Sequence, residues 1–335
     1  MRTRHLGKHG PALSAIGLGC MGMSDFYGPA DRGESLATIR AAREAGINLL
    51  DTGDFYGSGH NELLLAEALR DVPREDVFIA VKFGALRDPA GGFTGIDARP
   101  AALKNFLAMT LKRLGTDYID LYQPARLDPA VPIEETVGAI KEMVDAGYVR
   151  QIGLSEMGAE TIRRAHAVHP IASLQIEYSL LSRGIEAEIM PVCRELGVAI
   201  NAYGVLSRGL LSGHWSRERS EGARDFRAML PRFTGDNLER NLALVEALRD
   251  IGAAKGANVA QIAIAWILAR GEDVIPLVGA RKRERLDEAL GALDVVLTPD
   301  DLARIERAVP KDAVKGDRYA GAQMAMLDSE RSGAG

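Results

Sequence analysis

The strongest constraint on the fold is an alternation of two local patterns. Eight short apolar runs, Ala15–Leu18, Ile47–Leu50, Val77–Val81, Tyr118–Tyr122, Val149–Leu154, Ser173–Ile176, Val198–Ala202 and Val274–Val278, are separated by segments of helical character. Near-continuous apolar runs of this length suit strands covered on both faces, as in parallel sheets. The helical segments stop at Gly46, Gly115, Gly147 and Gly197, each just before the next run. Glycine ends a helix there because it takes the left-handed conformation without a Cβ penalty. Val137, Ile140, Met143 and Val144 follow the helical period and give their helix one stripe to bury.

Parallel strands need right-handed crossovers, and eight such units without a Ser/Gly/Pro-rich linker predict an α/β fold, a single-domain (β/α)8 TIM barrel over residues 1–310. Dividing 335 residues by about 150 per domain suggests two domains instead, but large barrels exceed that figure as one unit. Two stretches fall outside the repeat. Ser207–Asn241, long and rich in arginine, is read as a loop after strand seven that covers the site, and 311–335 as a polar tail free to move.

Composition is that of an ordinary globular chain, 47% hydrophobic and 26% charged, which excludes disorder and coiled coil for the whole length. A net charge of −5 with no long basic run points away from nucleic acid and membrane surfaces as partners. Cys20 and Cys193 are too few for a disulfide framework and read as a reducing compartment, the cytoplasm by default. The basic start Met1–Lys8 followed by small apolar residues is broken by glycines and lacks an Ala-x-Ala site, so it reads as a first buried strand rather than a secretory signal. No spacing of His, Cys and carboxylates suggests a metal.

Gly17-Leu-Gly19-Cys-Met-Gly22 fits the dinucleotide fingerprint G-x-G-x-x-G, but Met23–Pro29 follows where a helix should start. It reads as a strand end at which a ligand approaches closely. Asn48-Leu-Leu-Asp51-Thr-Gly-Asp-Phe-Tyr56-Gly and Val81-Lys82-Phe83 are more informative. In a barrel Asp51 and Lys82 stand at the C-terminal ends of strands two and three, with Tyr56 on the intervening loop, at the end that carries active sites. An ammonium in an apolar strand is costly unless paired, and Asp51 is the available partner. The pair is read either as structural or as tuning Tyr56, since a neighbouring cation lowers the pKa of a phenol and makes it usable in proton transfer.

These motifs, with Tyr118-Ile-Asp-Leu-Tyr122, Ile152-Gly-Leu-Ser155, Gln175-Ile-Glu-Tyr178, Tyr203-Gly-Val-Leu206, Gly209-Leu-Leu and Gly279-Ala-Arg281, resemble the aldo-keto reductase family from about Leu6 to about Val309. The resemblance implies NADPH-dependent reduction of an aldehyde or ketone, with Tyr56 donating the proton and Lys82 and Asp51 tuning it. It implies that Ser155 and Gln175 hold the nicotinamide carboxamide and that Tyr203 stacks on the ring. Gly19, Cys20 and Met21 would border the nicotinamide, and the backbone of Gly204, Leu206, Ser207, Gly209 and Leu211 would follow the pyrophosphate. Gly279 opens a loop with four basic residues between 281 and 285. Cations oppose the dipole at a helix start, and an adenosine 2′-phosphate held by Arg281 and Arg285 supplies the reason, favouring NADPH. Glu288 falls on the adenine side by the same resemblance.

The chain departs from the family twice. Ala125 stands where a catalytic histidine is usual, and if Ala125 faces the pocket, strand alternation turns the adjacent Arg126 away from it. Glu156 follows Ser155 where asparagine is common. The departure at Ala125 leaves a second reading, an NADP(H)-binding regulatory or sensor protein with slow or no turnover. Phe26, Phe55 and Phe83 are expected near strand ends, as pocket lining or as core. Substrate identity and oligomeric state are left open.

Overall fold

The computed structural model describes residues 1–222 and 225–331; positions 223–224 of the arginine-rich stretch and 332–335 of the tail lie outside the described residues. Eight parallel strands close into a barrel in sequence order: Gly17–Gly19, Leu49–Gly53, Phe78–Phe83, Ile119–Pro124, Val149–Ser155, Ser173–Glu177, Ala199–Tyr203 and Val274–Gly279. The last pairs with the first, Leu277 opposite Gly17, so no edge is left open. All eight runs recognised in the sequence become strands, because both faces of each are covered. The four helix-stop glycines have φ between +66° and +88°, as expected of left-handed caps.

Strand three shows how the pattern becomes a core. Phe78 and Ala80 point into the barrel with Leu49, Leu121 and Ile275, while Ile79, Val81 and Phe83 pack outward against the helices. The next inward position is Lys82, at the C-terminal mouth. The N-terminal end is stoppered by Leu6 and Leu13 of an antiparallel hairpin, Thr3–His5 with Ala12–Ser14.

That hairpin was not legible, nor was a second one, Ala85–Arg87 with Phe93–Ile96, which rises beside the mouth after strand three. Strands of three or four residues carry too few side chains to display a period. The stretch 207–241 is not a bare loop. It holds short helical turns at Ser207–Ser212, Arg217–Glu221, Phe226–Met229 and Pro231–Phe233, then opens the twenty-residue helix Gly235–Ala254. The segment after 311 crosses the mouth, where the Gly158 N–H donates to Asp328 at 2.8 Å and the Ser329 N–H donates to the carbonyl of Glu156 at 3.2 Å. Among the described residues no single helix is long and apolar enough to cross a membrane.

Candidate active site

The five non-glycine residues with positive φ among the described residues, Phe26, Ser58, Glu156, Ser207 and Arg208, all lie on loops at the C-terminal mouth. Backbone strain concentrates where a structure is held for function.

Register brings the three central residues together. Gly53 sits opposite Lys82 and Asp51 opposite both Gly19 and Ala80. The Lys82 ammonium donates to both carboxylate oxygens of Asp51 at 2.7 Å and to Gln175 Oε1 at 2.7 Å. Gln175 closes the circuit by donating from Nε2 to Asp51 Oδ1 at 2.6 Å. The charges are therefore buried as a bonded set, which makes them tolerable. Burial lowers the Lys82 pKa and Asp51 opposes it.

Tyr56 is 4% exposed, and its ring lies 5.3 Å from the Lys82 nitrogen. Among the described residues none hydrogen-bonds its hydroxyl. The expectation that a neighbouring cation lowers this phenol is overturned. Burial drives it well above its ordinary value, Asp51 pushes the same way, and Arg126 is the cation that opposes them. Lys82 faces both oxygens of Asp51, so its charge is spent on that carboxylate and not on the phenol. Tyr56 thus carries its proton at neutral pH, as a donor must.

Strand alternation does not govern Arg126. The fourth strand ends at Pro124, so the two-residue period lapses before Arg126. Its Nη1 donates to the Ala125 carbonyl at 2.6 Å, folding the half-buried side chain back over Ala125, which is 2% exposed.

On the fifth loop Glu156 is fully buried. It accepts from the Tyr203 hydroxyl at 2.7 Å, from Arg318 Nη1 at 2.9 Å and from the Ser329 hydroxyl at 2.8 Å. Burial alone would raise its pKa, but Arg318, with Arg126 and Tyr203, reverses this and holds it far below the usual carboxylate range. Glu177 accepts from Arg208 at 2.7 Å and from Arg318 at 3.3 Å. Tyr203 also meets Tyr319 of the tail, hydroxyl to hydroxyl at 3.0 Å. Arg208, Arg318, Tyr319 and Glu177 were missed in the sequence. Glu177, an acid ending an apolar run, carried the same signal as Lys82. Arg318 carried none, being distant in the chain and in a polar segment.

The residues expected at a nicotinamide are distributed as follows. Ser155 is 1% exposed and its hydroxyl oxygen has no partner, a buried polar atom suited to a ligand amide. Gln175 bonds Lys82 and Asp51. The Cys20 N–H donates to the Asp51 carbonyl at 2.9 Å, and Met21 starts a helical turn beside it. The loop from Gly204 turns on a φ of +64°, where a Cβ would meet Glu177 Cγ at 3.1 Å. The N–H groups of Ser207, Gly209 and Leu211 donate to Gly204 and Leu206 carbonyls within that loop, so these amides close its turns.

Farther out, Tyr27, Trp215, Arg219, Arg227 and Arg281 line a cleft of about 290 Å³. Arg227 is paired with Asp225, whereas Arg281 donates to the carbonyls of Tyr27, Gly28 and Pro29 and Arg219 to that of His214. Burial lowers the Arg219 pKa, and repulsion from Arg227, Arg285 and Arg281 adds to it. Arg285 donates to Glu288 at 2.8 Å, and Glu288 also accepts from Asn258 at 2.8 Å. Gly279 ends strand eight opposite Gly19. Arg219 and Arg227 were not singled out in the sequence, because only the fold brings their stretch against the eighth loop.

Phe26 stacks on Phe93 at 5.7 Å and meets Phe226 edge-on, while Phe55 meets Tyr56 at 4.8 Å, making an aromatic wall beside the phenol. Phe83 is core, stacked on Tyr122 at 4.3 Å.

Residues 15–310 match the Aldo/keto reductase family, and the chain belongs to it; it is an oxidoreductase on a (β/α)8 barrel. It is 44% identical over 317 residues, 94% of this chain and 90% of the relative, to probable aldo-keto reductase 1 of Glycine max. Among solved structures it is similar to the glycerol dehydrogenase AKR11B4 from Gluconobacter oxydans, with 28% identity, a TM-score of 0.85 and coverage of 94% of this chain and 97% of that one. It also resembles the holo form of aldo-keto reductase AKR11C1 from Bacillus halodurans, with 27% identity, a TM-score of 0.77 and coverage of 93% and 97%.

Proposed function

We propose that the chain is an NADPH-dependent reductase of a small aldehyde or ketone, acting in the cytoplasm, with Tyr56 as proton donor. The observation that carries this reading is a buried phenol whose hydroxyl has no partner among the described residues and whose pKa burial raises, held beside a closed Lys82–Asp51–Gln175 circuit. The unpartnered Ser155 hydroxyl and the arginine-lined cleft fit the two ends of a phosphorylated dinucleotide. When bound, the nicotinamide supplies a hydride to the carbonyl carbon. Tyr56 gives its O–H proton to the carbonyl oxygen, so that the product leaves as an alcohol. Arg126 is the cation that opposes the charge of the phenolate left behind, and water returns the proton to it. The Phe26–Phe93 and Phe55 wall keeps the reacting carbonyl in an apolar setting.

The test is NADPH oxidation, followed at the nicotinamide absorbance, across a panel of aldehydes and ketones. Turnover with at least one of them is expected. Saturable NADPH binding with no oxidation across the panel would instead assign the regulatory role. The cofactor choice is checked separately with Arg281→Ala. Losing one charge-assisted contact is worth about 1.5–3 kcal/mol, so the NADPH Kd should rise about ten- to a hundredfold while the NADH Kd barely changes. Equal losses for both dinucleotides would mean that Arg281 serves only to hold the Tyr27–Pro29 loop.

A further inference from the structure

A reductase of this kind gains rate from a donor aimed at the carbonyl oxygen as negative charge develops there, in addition to the proton donor. No histidine stands at the mouth in that capacity: His60, the nearest in sequence to Tyr56, is exposed and bonded to the Ser24 hydroxyl at 2.8 Å. The position the resemblance gives to a histidine is Ala125. The side chain of the next residue folds back beside it, with Arg126 Nη1 donating to the Ala125 carbonyl at 2.6 Å.

Arg126 is unusual among the arginines of the mouth. Arg208 and Arg318 are committed to Glu177 and Glu156. Arg126 makes no ion pair among the described residues, and the Ala125 carbonyl is its one hydrogen-bond acceptor there. A guanidinium has five N–H donors, so most of its fork is uncommitted although the residue is half-buried. Its electrostatic neighbours are Tyr203, Tyr319, Glu156 and Arg318, and it acts in turn on Tyr56 and Lys82. Tyr56, Lys82, Glu156 and Tyr203 belong to the second loop, third strand, fifth loop and seventh strand, so the guanidinium acts on groups from four parts of the C-terminal mouth.

We propose that Arg126 polarises the substrate's carbonyl oxygen, with Tyr56 as its partner, taking the place that Ala125 leaves open. The inference rests on the reductase reading above and adds the second donor to it. A guanidinium suits the task because it stays charged throughout and presents two parallel N–H groups to an oxyanion. The Ala125 methyl is small enough to let it fold back, which a histidine ring at 125 would prevent.

The experiment compares wild type, Arg126→Met, Arg126→Lys and the double variant Ala125→His/Arg126→Met, using NADPH and the best carbonyl substrate of the panel. Arg126→Met should lower kcat about a hundredfold with KM changed by less than about threefold, the signature of a contact made mainly in the transition state. Arg126→Lys, which keeps the charge without the fork, should lose less. The double variant should recover about tenfold over Arg126→Met by restoring a donor from the other position. NADPH binding followed by protein fluorescence should match wild type in every variant, showing that each folds. An Arg126→Met kcat within about threefold of wild type overturns the role. So does a loss confined to the KM of carboxylate-bearing substrates, which would make Arg126 an anchor for the substrate's anion. A wild type that binds NADPH but reduces nothing overturns the reductase reading, and Arg126's role with it; an active wild type with unaffected variants overturns the role of Arg126 alone.

Discussion

Replacing Tyr56 by Phe should lower kcat for every carbonyl substrate by about a hundredfold to ten-thousandfold while leaving NADPH binding and the melting temperature unchanged. The substitution removes one oxygen. The ring keeps its edge contact with Phe55 at 4.8 Å, and the hydroxyl has no protein partner to abandon, so the folded state loses little. What is lost is the proton that the site holds in place. Because burial and Asp51 raise the phenol's pKa, wild-type Tyr56 is protonated throughout the neutral range, and its own ionisation should not limit the rate below its ordinary value near 10. Rates of Tyr56→Phe equal to wild type, measured as NADPH oxidation under saturating substrate, would remove Tyr56 from the reaction.

Glu156→Gln should cost about 3 kcal/mol of stability near neutral pH, read from urea unfolding, because it breaks a buried ion pair and leaves Arg318 with less carboxylate charge around it. Glu156 is fully buried, and Arg318, only 6% exposed, would lose its main carboxylate and keep Glu177 at 3.3 Å and Glu330 at 2.8 Å. The sign with pH follows from the direction of the shift. The folded carboxyl titrates below its ordinary value of 4.5, so its contribution is complete above that value and is lost as pH falls through the folded one. The stability gap between wild type and Glu156→Gln should therefore be widest near pH 7 and narrower near pH 3. A constant gap would show that shape at position 156, and not its charge, holds the structure. Amide hydrogen exchange supplies a local check, since Gly158 and Ser329 bond across the same junction and should lose protection in the variant.

Legibility tracked how much of an interaction lies within one segment. Each barrel strand and each glycine cap is a pattern over four to fifteen consecutive residues, and all of them could be read. Lys82 and Asp51 were legible together because a charge in an apolar strand demands an opposite charge nearby. The same logic applied to Glu177 would have asked for Arg208 but could not have located Arg318, which is 141 positions away. The direction of the Tyr56 shift was misread because adjacency of Lys82 is not the same as its net field. Asp51 neutralises that field, and burial decides the sign. Arg126 was misread because strand alternation was carried past the strand's last residue, Pro124.

The sequence alone determined the barrel, the end of it that carries chemistry, and the identities of the buried tyrosine, lysine and aspartate. These follow from periodicity, chain reversal at glycine and the cost of burying charge, all of which are local properties. Tertiary structure decided which cations are spent and which are free. It paired Arg318 with Glu156 and Arg208 with Glu177, gathered Arg219, Arg227 and Arg281 around one cleft, and left Arg126 folded over Ala125 without a carboxylate. Those outcomes depend on distances between segments far apart in the chain, and only closure of the barrel sets them.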